Sequence, residues 1–180
     1  FDGTNDSLLG ASNTAAGAIL RNISGYTLFF VRKTKTSVSA LEYIFNNTIG
    51  GSVVLDLNTQ ATNRPGIRAR RLAADTLTSL QGANSGTISG TFELHSVRVD
   101  HSATTATLWK NGTQFATNTA FLASGNTADS GRANSIGANT AGNGQFADIE
   151  VAEILIYHSA LSIADRGKIE NYLNTKWAIY

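Results

Sequence analysis

The chain has no cysteine, which excludes a disulfide framework and any thiolate metal site. It has no methionine either, so a sequence running from Phe1 is expected to be a processed chain or a piece of a longer protein, in other words a module. Charge is scarce: 15% of residues are charged and the net charge is +1, which leaves no electrostatic footprint for nucleic acid or an anionic membrane. Long hydrophobic runs are missing as well. The longest, "YTLFFV" and "AEILIY", fall far short of the roughly 20 residues of a membrane helix, so no membrane insertion is expected. No signal-peptide pattern is present. His95, His101 and His158 share no metal-ligand spacing, and neither a Ser/His/Asp motif nor a phosphate loop can be assembled.

What is abundant is neutral and polar: Ser, Thr, Asn, Gln and 17 Gly. Such a surface leaves neutral polar partners open, sugars among them. With 180 residues, 42% of them hydrophobic, there is material for one core of ordinary size, and residues 1–180 read as a single domain.

Short runs of β-branched and aromatic residues alternate with Gly, Asn, Ser and Thr clusters, the pattern of a sandwich or barrel. Strands are expected at Tyr26–Arg32, Leu41–Phe45, Ser52–Leu57, Gly66–Leu72, Thr91–Asp100, Thr104–Lys110, Gln114–Asn118, Ser135–Gly137 and Gln145–Tyr157. In "TATLWKNGTQFATN", Asn111-Gly112 supplies the two residues that tolerate positive φ in a type I′ turn, which predicts a hairpin. "YTLFFV" is apolar on both parities, as a strand covered on both faces must be, whereas "GIRARRL" sets Ile67 and Ala69 against Arg68 and Arg70. Pro65, the single proline, marks a loop. The Gly/Asn/Ala/Ser-rich stretch 123–145 is either mobile or a set of tight turns around one short strand.

Only the last segment has helical periodicity. Ser162 and Asp165 form a capping-box pattern, Ile169, Tyr172, Leu173 and Trp177 make one apolar stripe, and Arg166 and Glu170 are placed as a surface pair.

Asp148, Glu150 and Glu153 make the one dense carboxylate cluster, in "FADIEVAEILIY". Paired carboxylates on a strand are what a retaining glycosidase needs, about 5–5.5 Å apart. On a regular strand, however, Asp148 and Glu150 share a face, while Glu153 points the other way with Ile149, Val151 and Leu155. Only a bulge between Glu150 and Glu153 would unite them. Trp109, on one face with Thr105 and Thr107, is a candidate sugar platform, or else packs under a neighbouring loop. Arg68, Arg70 and Arg71 form the basic cluster and suit acidic sugars or a partner protein. Tyr43, Asn134, Asn139 and Asn143 are further candidate polar contacts.

Four pieces in order, "FDGTND", "ATLWKNG", "DIEVAEILIYHSALS" and "IENYLNTKW", resemble the concanavalin A-like lectin/glucanase superfamily, in its laminin G-like, pentraxin-like branch found in bacterial and phage surface proteins. The resemblance covers Phe1 to Trp177. It implies an all-β fold, a two-sheet antiparallel jelly-roll sandwich with a short C-terminal α-helix, in which "FDGTND" is the opening strand. The branch often has an Arg where this chain has Ser159 and an acidic residue where it has Ala152; calcium is implied by the resemblance alone, and no clustered loop aspartates supply its ligands. Some members are laminarinase-type glycosidases whose Glu-x-Asp-x-x-Glu pattern appears here with Asp and Glu exchanged.

The expected function is therefore a non-catalytic lectin-like module of an extracellular, cell-surface or virion protein, binding glycans without a cofactor. A structural module that binds neighbouring protein subunits, in a homo-oligomer or a virion, is the alternative. A glycosidase is the third reading.

Overall fold

The computed structural model describes residues 1–10, 19–35, 41–49, 52–60, 64–83, 90–121, 123–128 and 133–180. Their elements are β1 (Leu8–Gly10), β2 (Gly25–Thr34), β3 (Glu42–Ile49), β4 (Ser52–Gln60), β5 (Arg64–Ala69), β6 (Thr78–Gln81), β7 (Glu93–Asp100), β8 (Thr105–Lys110), β9 (Thr113–Asn118), β10 (Ala133–Ile136), β11 (Ile149–Tyr157) and α1 (Ile163–Trp177). The strands form two antiparallel sheets, one of six in the order β1-β10-β3-β4-β5-β6 and one of five in the order β11-β2-β7-β8-β9. This is the expected two-sheet sandwich with one C-terminal helix.

The double apolarity of β2 is explained by what lies on either side of it. Leu28 and Phe30 join Phe45, Leu55, Leu57, Ile67, Val97 and Leu108 in the core between the sheets. Phe29 and Val31 point the other way, into a second cluster with Leu94 and Leu173 of α1. Each such side chain contributes about 1.5–3 kcal/mol when fully removed from water, so the helix is held chiefly by this second cluster.

Local chemistry sets the turns. Asn111 (φ 48°) and Gly112 (φ 76°) form the positive-φ pair between β8 and β9, and Asn111 Oδ1 accepts from Leu94 N at 2.9 Å. Ser162 caps α1 by accepting from Asp165 N at 3.1 Å and donating to Asp165 Oδ2 at 2.8 Å, and Ala178 ends the helix in the left-handed region.

Several expectations are corrected. "FDGTND" is a turn in which Asp2 and Asp6 accept from Thr4 N and Asp2 N, because short carboxylate side chains compete with a ladder for backbone donors; the first strand is β1. Pro65 is the second residue of β5, where its carbonyl accepts from Gly82 N and its missing donor costs little. The strand β6 has one core residue, Leu80 opposite Ile67, too little for a period-two signal. Arg166 and Glu170 are buried between helix and sheet, with side chains 9% and 5% exposed, because they share the 3.6-residue stripe with Leu173; Tyr172 is the stripe residue left outside, 51% exposed.

Candidate functional site

β4 reads Leu55-Asp56-Leu57-Asn58, and the alternation sends Leu55 and Leu57 into the core and Asp56 and Asn58 to the outer face of the six-stranded sheet. The register places Asn46 of β3 and Arg68 of β5 on either side of Asp56. A shift between Tyr43 and Phe45 puts Tyr43 opposite Asn58, on the same outer face.

Asp56 is fully buried, and its Oδ2 takes both Nε (2.9 Å) and Nη2 (2.8 Å) of Arg68, two donors on one oxygen that fix the guanidinium plane. Arg68 Nη2 also donates to the Tyr43 hydroxyl, and the guanidinium carbon lies 5.5 Å from the Tyr43 ring centroid. Asn58 donates to Asp56 from below. Burial pushes the Asp56 carboxyl up while Arg68 pulls it back. Burial alone would lower Arg68, but the hydrogen bonds and charge of Asp56 outweigh it and hold the guanidinium above its ordinary value. At 2.8 Å the two are an ion pair at neutral pH. The Arg68 side chain keeps 22% exposure, and its Nη1 makes no hydrogen bond among the described residues. The result is a pre-oriented cation with one donor nitrogen left over, next to a tyrosine ring.

Asn139, Asn143 and Gln145 form a loop closed on itself: Asn139 Nδ2 donates to Asn143 Oδ1 (3.0 Å) and Gln145 Oε1 (2.9 Å). The loop is tied to β3 where Tyr43 N donates to Gln145 O at 3.0 Å. Tyr43 and Arg68 are thus brought together, and Asn139 and Asn143 lie in a loop whose backbone joins β3 at Tyr43. Asn134 is not among them; it is buried on β10, where it accepts from Asn47. Arg70 lies past the end of β5 and donates to Ala73 O (2.9 Å) and Asp75 O (3.4 Å), shaping a turn.

Trp109 is on the other sheet, only 4% exposed, with the Arg166 guanidinium 4.2 Å above its ring. The helix occupies the platform. Asp56, Asn58 and Asn46 were absent from the expected site, although the polar alternation inside apolar β4 is a signal that could have found the first two.

The carboxylate cluster is rearranged by a register shift between Val151 and Glu153 on β11. Ile149 and Val151 face the inter-sheet core, while Ala152, Leu155 and Tyr157 pack on the helix side. Because of this bulge Glu153 pairs with Val31 and shares the helix side with Glu150, opposite Lys33, so the expected separation by parity does not hold. Each acid is engaged. Asp148 pairs with Lys35 (3.2 Å) and Glu150 with Lys33 (2.9 Å). Glu153 Oε2 accepts from Trp177 Nε1 (2.7 Å) and Lys176 Nζ (2.9 Å), and those bonds hold its carboxyl below the usual range.

Among the described residues no group of three or more His, Asp or Glu side chains is placed to hold a metal. No helix among the described residues is long and apolar enough to cross a membrane.

Two antiparallel sheets stacked around one core, with a C-terminal helix laid on the five-stranded sheet, define a jelly-roll sandwich. Solved structures share this fold. NanB in complex with optactamide superimposes with a TM-score of 0.69 at 18% identity, over 93% of this chain and 26% of that one; NanB is a sialidase from Streptococcus pneumoniae. The CBM40 domain of the Ruminococcus gnavus IT-sialidase, bound to α2,3-sialyllactose, gives 0.66 at 13% identity over 92% of this chain and 96% of that one. A heptameric SAP-like pentraxin from Limulus polyphemus gives 0.60 at 10% identity, over 92% and 82%. The chain spans about a quarter of the NanB chains it matches. No protein-family model matches the chain, and no curated protein does. Identities this low carry the fold and leave activity to the site.

Proposed function

We propose that the chain is a non-catalytic, lectin-like carbohydrate-binding module of an extracellular or surface-exposed protein, and that the outer face of the six-stranded sheet binds a glycan bearing a carboxylate. The observation that carries the reading is Arg68: held rigid by buried Asp56, flanked by the Tyr43 ring, and with Nη1 uncommitted among the described residues. The remaining Nη1 offers a charged donor to a carboxylate, while the Tyr43 ring, 7% exposed, backs the guanidinium and holds it in place. The IT-sialidase CBM40 domain, of the same fold, was solved bound to sialyllactose, which supports the ligand class. The non-catalytic reading is supported by the acids of β11. A general acid needs a raised pKa, whereas Glu153 is held low by Lys176 and Trp177 of the helix. A surface or virion host rests on the sequence resemblance.

The test is a titration of 3′-sialyllactose and glucuronate-terminated oligosaccharides against the native protein and Arg68→Ala. Native binding that weakens about tenfold or more in the variant is expected, the scale of a lost charged hydrogen bond. Binding of neither acidic glycan, or equal affinity of the variant, refutes the proposal.

A further inference from the structure

A cavity lies at the rim of the sandwich, beside β6. It measures about 470 Å³ and is lined by Ala74, Asp75, Thr76, Thr78, Ala120, Phe121 and Ala123. Its position is decided by the turn after β5 and the segment after β9, which meet at one end of the sandwich because β6 and β9 are the edge strands of their sheets.

The turn is rigid, and the arginines singled out in the sequence are what make it so. Arg70 donates to the carbonyls of Ala73 and Asp75. Asp75 Oδ2 accepts from Leu72 N (3.0 Å) and Arg71 Nε (3.3 Å), and Asp75 N donates to Leu72 O (3.1 Å). One carboxylate oxygen is thereby spent on holding the turn. The other, Oδ1, makes no hydrogen bond among the described residues, and neither do the hydroxyls of Thr76 and Thr78. Between these three polar groups the lining is small and apolar: Ala74, Ala120 and Ala123, over a fully buried Phe121.

We infer that this rim cavity is a second carbohydrate subsite, for a neutral pyranose. A sugar ring needs acceptors for its hydroxyl protons, donors for its oxygens and small apolar surfaces for its C–H faces; Asp75 Oδ1, the two threonines and the three alanines supply these in that order. The volume falls within the range of small-ligand sites, on the scale of one ring. Among the described residues the lining holds no cation, and Asp75 is already paired with Arg71 (3.3 Å), so nothing there draws an acidic sugar, unlike Arg68. The two sites together would suit a branched or extended glycan with one charged and one neutral terminus.

The test uses ¹⁵N-labelled protein and the methyl glycosides of glucose, galactose, mannose and N-acetylglucosamine to about 50 mM, a range that detects a millimolar Kd. At least one is expected to shift the amides of Ala74–Thr78 and Ala120–Ala123 saturably. Thr78→Val keeps the shape and loses the hydroxyl, and is expected to weaken that ligand about fivefold; Ala123→Leu fills the cavity and is expected to abolish binding. Arg68→Ala should leave this binding unchanged, which separates it from the acidic site. No shift at these amides with any of the four glycosides overturns the inference. So does undiminished affinity in both Thr78→Val and Ala123→Leu, or equal shifts from glucuronate.

Discussion

Replacing His95 with Gln should flatten the acid limb of the protein's stability curve. His95 is 4% exposed on the inner side of β7, with Nε2 at 3.1 Å from Glu93 Oε2, while Lys110 Nζ holds Glu93 Oε1 at 2.6 Å. Burial, reinforced by the charge of Arg32 on the neighbouring strand, outweighs the pull of Glu93 and lowers the imidazole from 6.5 to about 4. The ring is therefore neutral at pH 7 and donates from Nε2 to the carboxylate. A histidine that resists protonation in the folded state loses stability on acidification: the unfolded chain takes up a proton at 6.5 and the native one only near 4. At 1.36 kcal/mol per pH unit, the full effect is about 3 kcal/mol, most of it lost between pH 6.5 and 4.5. Glu93 acts in a lower window. Burial alone would raise it, but its bonds to His95 and Lys110 hold it at about 2, so its contribution is present above 4.5 and lost as the pH falls toward 2. Urea unfolding at pH 7.5, 6.5, 5.5 and 4.5 separates the two. Native protein should lose about 2–3 kcal/mol more than His95→Gln across that range. Parallel curves for the two proteins would show that His95 is not held neutral by burial, and the reasoning would fail.

Three further outcomes follow from the helix-bearing face. Leu173→Ala removes a fully buried side chain from the cluster of Phe29, Val31 and Leu94 and should cost about 2–5 kcal/mol in urea unfolding. Trp109→Ala should cost about 3–5 kcal/mol, since the ring is buried under Arg166, yet leave 3′-sialyllactose affinity in surviving folded protein unchanged; a selective loss of binding would return Trp109 to the ligand surface. Glu153→Gln keeps an acceptor for Trp177 Nε1 but loses the charge, and should lower stability by about 1 kcal/mol at pH 7 with the difference vanishing as the pH falls below the ordinary carboxylate value, because the native carboxyl is held low.

Much of the fold was legible because its signals are local. The Asn111-Gly112 turn follows from positive φ, the Ser162 cap from one hydroxyl reaching Asp165 N, and the two-faced burial of β2 from apolar residues on both parities. The site was half legible. Tyr43 and Arg68 were named from the sequence and meet in the structure, yet Asp56, which orients Arg68, stands 12 residues away on another strand, and nothing local marks it as that partner. The acids of β11 were misassigned because parity assumes an unbroken register, and one extra residue at Ala152 reverses it.

The sequence by itself determined the neutral polar surface, the two-residue alternation of the strands, the hairpin and the capped helix, since each depends on residue type and on neighbours within one turn. The tertiary structure alone decided which face each strand presents and what covers it. It laid the helix over Trp109, turned Arg70 and Arg71 into props for the Asp75 turn, and fixed the Arg68 guanidinium against buried Asp56. Strand order, bulges and burial are set by partners far away in the chain, so identical local patterns can end as core, buttress or binding surface.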